Sequence, residues 1–179
     1  QSWKFVVLRD PTLIAEMTAH TRKWARWLSR AMDPTYPKAF TTPLVSRFSR
    51  LLLTRFAPSA MHPTGLSGLA QLGSGELGLW HGAPTVILLL VDTRGPGNPY
   101  LDVGIAGQNM VLAAHSMGLG TCWVSFAMFL ERSRKYRKML GIEYPMRLAS
   151  SLAIGFPVGR PDGLVARETH ETVWFDAGE

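Results

Sequence analysis

Residues 102–114, DVGIAGQNMVLAA, are followed closely at 118–126 by GLGTCWVSF, and these two pieces decide the fold. In the first, Ile105, Met110, Val111 and Ala114 stand among Gly and Ala. That pattern predicts a helix over 101–117 with a small-residue face suited to close packing, stopped by Gly118. The second is a glycine-rich turn entering a short apolar segment, after which 128–140 predicts a basic helix ending at Gly141.

Upstream, Ala83 and Pro84 open the run 85–92, TVILLLVD, whose unbroken β-branched and aliphatic character predicts a strand buried on both faces. The segment 3–8, WKFVVL, predicts another strand, ended by Arg9-Asp10-Pro11. From Thr12, the residues Leu13, Ile14, Met17, Trp24, Trp27 and Leu28 recur at helical spacing until Asp33-Pro34, with Asp10 or Thr12 available as the cap. Residues 34–82 are the least regular, rich in Pro, Gly and Ser, with one helix expected around 44–56. A third long strand is expected over 148–156, and 172–175 is a last β-like piece. The chain reads as a single domain over 1–179, with 34–81 as an insertion or lid.

Composition narrows the class. With 179 residues, 46% of them apolar and 18% charged, the chain has enough material for one buried core. The longest aliphatic run, Val86 to Val91, is far short of the roughly 20 residues that cross a bilayer, so no membrane span is expected. One cysteine, Cys122, excludes an internal disulfide and a cluster held by several thiolates of this chain, which makes the cytoplasm the default compartment. The net charge of +6 has two basic concentrations, in residues 1–60 and at 132–138. Neither reads as interleaved with aromatics in the way of a base-stacking platform, so a solvated basic surface is expected rather than a nucleic-acid site.

Several motifs are set aside. Gly73-Ser74-Gly75-Glu76-Leu77-Gly78 matches G-x-G-x-x-G, but no convincing strand precedes it, and Gly82 and Pro84 prevent a helix after it. The five histidines show no metal-ligand spacing, so no metal site is expected. His115, on an apolar helix, reads as a core histidine, and Cys122, beside Trp123, as a packing thiol. No G-x-S-x-G elbow is present.

The 102–114 stretch together with 118–123 resembles the central signature of the nitroreductase family. Three further pieces fall in that family's order: Gln1-Ser2-Trp3 before a first strand, Gly82-Ala83-Pro84 before a hydrophobic strand, and Ile154-Gly155-Phe156-Pro157 at a strand end, with Arg167 beyond. The resemblance covers roughly 1–10 and 82–176, and is nearest to members that carry a ferredoxin-like module upstream. It implies an α+β, three-layer fold, a mixed and mainly antiparallel sheet flanked by helices, assembled as an intertwined homodimer with FMN at the interface. The family's Arg-Arg-Ser-x-Arg phosphate motif has no counterpart before Gln1, which points to a fragment or processed form that lacks the N-terminal part of the pattern.

Carried over by position, the resemblance implies that Gln1 and Ser2 contact the flavin. Thr121, Cys122, Trp123, Val124 and Ser125 fall where backbone approaches its N5 edge, with flanking glycines expected to permit that approach. Arg167 falls where a basic side chain holds the FMN phosphate. Phe126 and Phe129 are expected to shape an acceptor pocket, although both also suit a core. No acid, base or nucleophile constellation is visible, as expected where the chemistry is the flavin's. The implied function is reduction of nitroaromatic, quinone or enone-like acceptors by hydride transfer through flavin N5. The donor is NAD(P)H or a ferredoxin-type protein. The alternative is a non-catalytic flavin-binding module docking an acidic redox partner through 132–138.

Overall fold

The computed structural model describes residues 2–32, 51, 55, 63–94, 97–159 and 171–175. Four strands, β1 (Trp3–Leu8), β2 (Thr85–Asp92), β3 (Gly120–Val124) and β4 (Met146–Gly155), form one sheet in the order β1-β2-β4-β3. Every pairing among these strands is antiparallel. The 85–92 run sits inside the sheet, as its pattern predicts. Val86, Leu88 and Leu90 enter one core while Leu89 and Val91 enter the other, so the strand is apolar at consecutive positions because both faces are covered.

One face is covered by α1 (Pro11–Met32), α2 (Pro63–Ser74), a 3-10 helix (Ser125–Arg132) and α4 (Arg134–Leu140). Met17, Leu69, Leu72, Leu130 and Tyr136 carry that packing. The opposite face is covered by α3 (Pro99–Ser116), through Val103 with Met110 and Val111 beside it. Helices, sheet and helix give the three layers. Each fully buried aliphatic side chain contributes about 1.5–3 kcal/mol of transfer free energy.

Local chemistry explains the helix ends. Asp10 rather than Thr12 caps α1, its Oδ1 accepting the Thr12 N–H at 2.8 Å. Asn98 caps α3 by accepting the Leu101 N–H at 3.2 Å, with Pro99 in the first turn. The basic helix expected over 128–140 is two elements. Ser133, extended at φ −103°, ends the 3-10 helix and caps α4, which closes on Gly141 in the left-handed region.

The described part of the expected insertion or lid is built into the core. Its residues 63–81 include α2, and Leu69, Leu72, Leu79 and Trp80 belong to the main core rather than to a cover. Gly73 makes this possible, because a Cβ there would stand 2.9 Å from Arg26 Cα, and Arg26 Nε instead donates to the Gly73 carbonyl at 3.0 Å. The helix expected over 44–56 lies outside the described residues apart from Leu51 and Arg55. Residues 171–175 are exposed and lie in no strand. Among the described residues, no helix is long and apolar enough to cross a membrane.

Candidate active site

β3 and the residue after it form the part of the fold that presents polar groups beside aromatic surface. Among the described residues, β3 pairs with β4 and with no other strand. A terminal strand leaves alternate N–H and C=O groups unpaired along its outer edge. Thr121 is half-buried, Cys122 and Trp123 are exposed, Val124 is buried, and Ser125 is exposed at the start of the 3-10 helix. Val124 belongs to the α1-side core, whereas Trp123 leans to the α3 side against Gly107. The alternation aims neighbouring side chains to opposite faces.

The end of β3 is held from behind by Ser151 of β4, fully buried, whose Oγ donates to the Val124 carbonyl at 2.7 Å. The same oxygen accepts the indole N–H of Trp80 at 3.0 Å. Trp123 is held differently: a Cβ at Gly107 would fall within its ring and lie 2.8 Å from Leu89 Cδ2, so α3 and Trp123 can meet only because position 107 has no side chain. None of Trp80, Ser151 and Gly107 was singled out as a site residue from sequence. A lone serine inside a strand carries no signal of which backbone group it will meet.

Within the chain, Gly120 of the flanking glycines and Gly155 of β4 both meet prolines. A Cβ at Gly120 would meet Pro157 Cβ at 3.3 Å, and one at Gly155 would meet Pro84 Cδ at 3.0 Å. They make room for two prolines of the same chain. Gly118, at φ +73°, serves the turn out of α3.

Of the other expected site residues, those described are not brought together within one chain. Gln1 and Arg167 lie outside the described residues. Ser2 precedes β1, its carbonyl accepting the Asp92 N–H at 2.6 Å. β1 is the opposite edge of the sheet from β3. Three strand spacings of about 4.8 Å separate the two edges by about 14 Å. Phe129 is 8% exposed inside the main core, and Phe126 is half-buried against it and against Gly68, the two rings stacked at 6.5 Å. The structure gives both phenylalanines a core role.

Two further expectations are corrected. His115 is exposed in the last turn of α3, where imidazole meets the carbonyl end of the helix, rather than buried. Cys122 is exposed rather than packed, its Sγ lying 3.6 Å from the Trp123 carbonyl. The G-x-G-x-x-G stretch serves helix packing: Gly73 lies on the α1 backbone, and Gly75, at φ +95°, lies beside the Arg22 guanidinium. A groove of about 360 Å³ opens on the α1 side, lined by Ile14, Thr18, Arg22, Leu79, Trp80 and Ala83. Trp123 leans toward α3, on the other side of the sheet. Among the described residues, no group of three His, Cys, Asp or Glu could hold a metal ion.

α3 carries an outward apolar stripe. Tyr100, Leu101, Ile105 and Leu112 are each more than half exposed, and a Cβ at Gly104 would meet nothing within 4 Å. The small-residue face is therefore divided between Gly107, turned to the sheet, and Gly104, turned outward.

Comparison with known proteins agrees with this architecture. A model of the Nitroreductase family matches residues 1–159. A Methanothermobacter thermautotrophicus protein, assigned by name as an NADH dehydrogenase/NAD(P)H nitroreductase, is 33% identical over 82 residues, 44% of this chain and 43% of that protein. The matched stretch thus spans less than half of that relative's length. The crystal structure of a Desulfitobacterium hafniense nitroreductase with bound FMN aligns at a TM-score of 0.60 with 18% identity, over 93% of this chain and 72% of that one. A Bacteroides fragilis nitroreductase with bound FMN aligns at 0.56 with 18% identity, over 99% and 73%. An FMN- and NADPH-dependent nitroreductase derived from a sphigopyxis strain, solved as a point mutant, aligns at 0.54 with 20% identity, over 92% and 76%. At these identities the structures report a shared fold.

Proposed function

The chain belongs to the nitroreductase family, and from that premise we propose that it is an FMN-dependent oxidoreductase. The observation that carries this reading is the outer edge of β3, unpaired among the described residues, which leads from Thr121 into an exposed Ser125 beside an exposed indole. An isoalloxazine is flat, apolar on its faces and lined along one edge with donors and acceptors. An edge strand offers unpaired backbone donors and acceptors, and Trp123 offers aromatic surface. The donor set thus fits the ring. The described part of this segment carries no cation for the phosphate, and Arg167 is the residue proposed for it, its fork of donors matching a dianion.

When bound, the flavin supplies the chemistry, accepting hydride at N5 and passing it to an acceptor. The chain's own contribution is to bind and orient. Ser151 fixes the Val124 carbonyl and so the backbone that enters Ser125. Trp123, seated on Gly107, limits solvent on one side. A nicotinamide nucleotide is the proposed donor, with a protein donor as the other route, and a small nitroaromatic, quinone or enone-like molecule is the proposed acceptor.

A homodimer is the assembly proposed on the same geometry. Ser2 and Ser125 lie toward opposite edges of one sheet, so one flavin touching both segments draws them from two chains. The outward stripe of Tyr100, Leu101, Ile105 and Leu112 gives such an assembly an apolar surface to bury. The exposed 171–175 piece, with Val173, Trp174 and Phe175, is a strand candidate for the partner's sheet edge.

The test is the visible spectrum after incubation with FMN and gel filtration. Retained flavin absorbance, bleached by NADPH under nitrogen and restored by a quinone, is the expected result. A protein that elutes colourless after loading overturns the reading.

A further inference from the structure

Among the described residues, positive charge is concentrated on three elements that pack on the same side of the sheet. α1, the 3-10 helix and α4 together hold nine Lys or Arg against two acids, Glu16 and Glu131. The remaining sequence holds ten against eleven, so the entire net charge of +6 originates on these three elements. They are adjacent in space: Lys135 Nζ pairs with Glu16 at 2.8 Å, the His20 and Tyr136 rings meet edge to face at 5.1 Å, and Arg132 lies over the Trp24 ring at 5.9 Å. Lys23, Arg134, Arg137 and Lys138 are exposed around that seam.

The face also contains an aromatic anchor. Trp27 is 54% exposed and meets Trp24 edge to face at 5.9 Å. Trp24 and Trp27 thus stand among the cations of α1 without forming a base-stacking platform. A rigid indole among arginines is the composition of a protein-binding hot spot. Two other polyanions fit less well. Trp24 is covered by Arg132 and perpendicular to Trp27, so the pair offers no parallel platforms for successive bases. The apolar side of α1 is spent in the core at Met17 and Ala25, leaving no apolar helix face to enter a lipid surface.

The geometry points to a docking surface for an acidic protein on α1, the 3-10 helix and α4, centred on Trp27 and Arg132. The class of partner rests on the flavin reading: it is a small acidic electron-carrier protein. The 3-10 helix ties the two sites together, starting at Ser125 and reaching Arg132 at the face. At roughly 2 Å per residue those seven steps place the face about 14 Å from the proposed flavin edge. Two reduced carriers would each lose one electron there, and the flavin would take up both electrons with a proton from water.

The test uses a plant-type [2Fe–2S] ferredoxin, binding followed by Trp fluorescence with the oxidised carrier so that no flavin chemistry enters. Binding is expected to weaken by at least about tenfold between 50 and 300 mM salt. It is expected to fall by at least about tenfold in Lys23→Glu/Arg134→Glu/Arg137→Gln/Lys138→Gln and, read by calorimetry, in Trp27→Ala. Reduction of bound flavin by NADPH should be unchanged in the four-site variant, which shows that it is folded. Equal affinity of wild type and the charge variant overturns the proposal, as does retention on phosphatidylserine vesicles or a single-stranded oligonucleotide with no binding to the carrier. Charge-dependent carrier binding by a chain that takes up no FMN leaves the docking surface standing and removes the flavin reading instead.

Discussion

The indole Nε1 of Trp80 donates to Ser151 Oγ at 3.0 Å, deep in the core, and the same hydroxyl donates to the Val124 carbonyl at 2.7 Å. One serine thus ties the turn before β2 to the strand end that enters the proposed flavin site. Ser151→Ala leaves a buried indole N–H and a buried carbonyl without their partner, at a cost of about 1–3 kcal/mol for each group left unsatisfied. Urea unfolding should show this loss. FMN affinity should fall in the same variant, because the backbone at Val124 loses its anchor. In Ser151→Ala/Trp80→Phe the two losses should sum to less than their separate values.

Gly107 and Gly104 lie three residues apart on α3 and should respond oppositely to alanine. At Gly107 the added methyl falls within the Trp123 ring, and overpacking of that kind costs about 1–3 kcal/mol. At Gly104 nothing lies within 4 Å, so the change should stabilise the chain by about 0.5–1 kcal/mol through helix propensity. Thermal unfolding of the two variants checks the sign. If position 104 lies in a dimer contact, Gly104→Ala should also shift the sedimentation of the protein.

Cys122 is exposed and is the chain's single thiol. Native protein should therefore react with one equivalent of a disulfide reagent without denaturant. Bound FMN should slow that reaction several-fold if the cofactor covers β3. A rate indifferent to saturating FMN would move the flavin elsewhere.

His20 sits below its ordinary value of 6.5, chiefly because burial disfavours imidazolium, with Lys23 adding repulsion and the Phe129 carbonyl opposing both. Tyr136 of α4 meets the same ring edge to face, and Lys135 lies over Tyr136 at 5.3 Å. A depressed histidine favours the neutral form in the folded state, so its contribution is fully present above pH 6.5 and is lost as pH falls from there through the folded value. Wild-type stability should decline on acidification below about pH 6.5, and His20→Gln should flatten that part of the profile. Parallel profiles for the two proteins would show that His20 carries no such linkage.

Much of the fold was legible because its signals are local. The 85–92 strand, the 3–8 strand and α1 each follow from a run or a period in consecutive residues, and Asp10 advertises its helix start. α2 was not legible: PTGLSGLAQLGS has three glycines and reads as a connection, and it is helical here where Gly73 lets it close against Arg26. His115 and Cys122 were misplaced for a related reason. Residue type reports average burial, whereas a helix end and an edge strand expose whatever stands there.

By itself, the sequence determined the long strands, the helices that follow Asp10 and Asn98, and which family pattern the chain carries, because these depend on residues adjacent along the chain. Only the tertiary structure decided that Ser151 holds both Trp80 and Val124, that Gly107 seats Trp123, that Ser2 and β3 lie on opposite edges, and that cations more than a hundred residues apart share one face. Each of these is a contact between distant segments, fixed by how the sheet orders its strands and how each layer buries its apolar side.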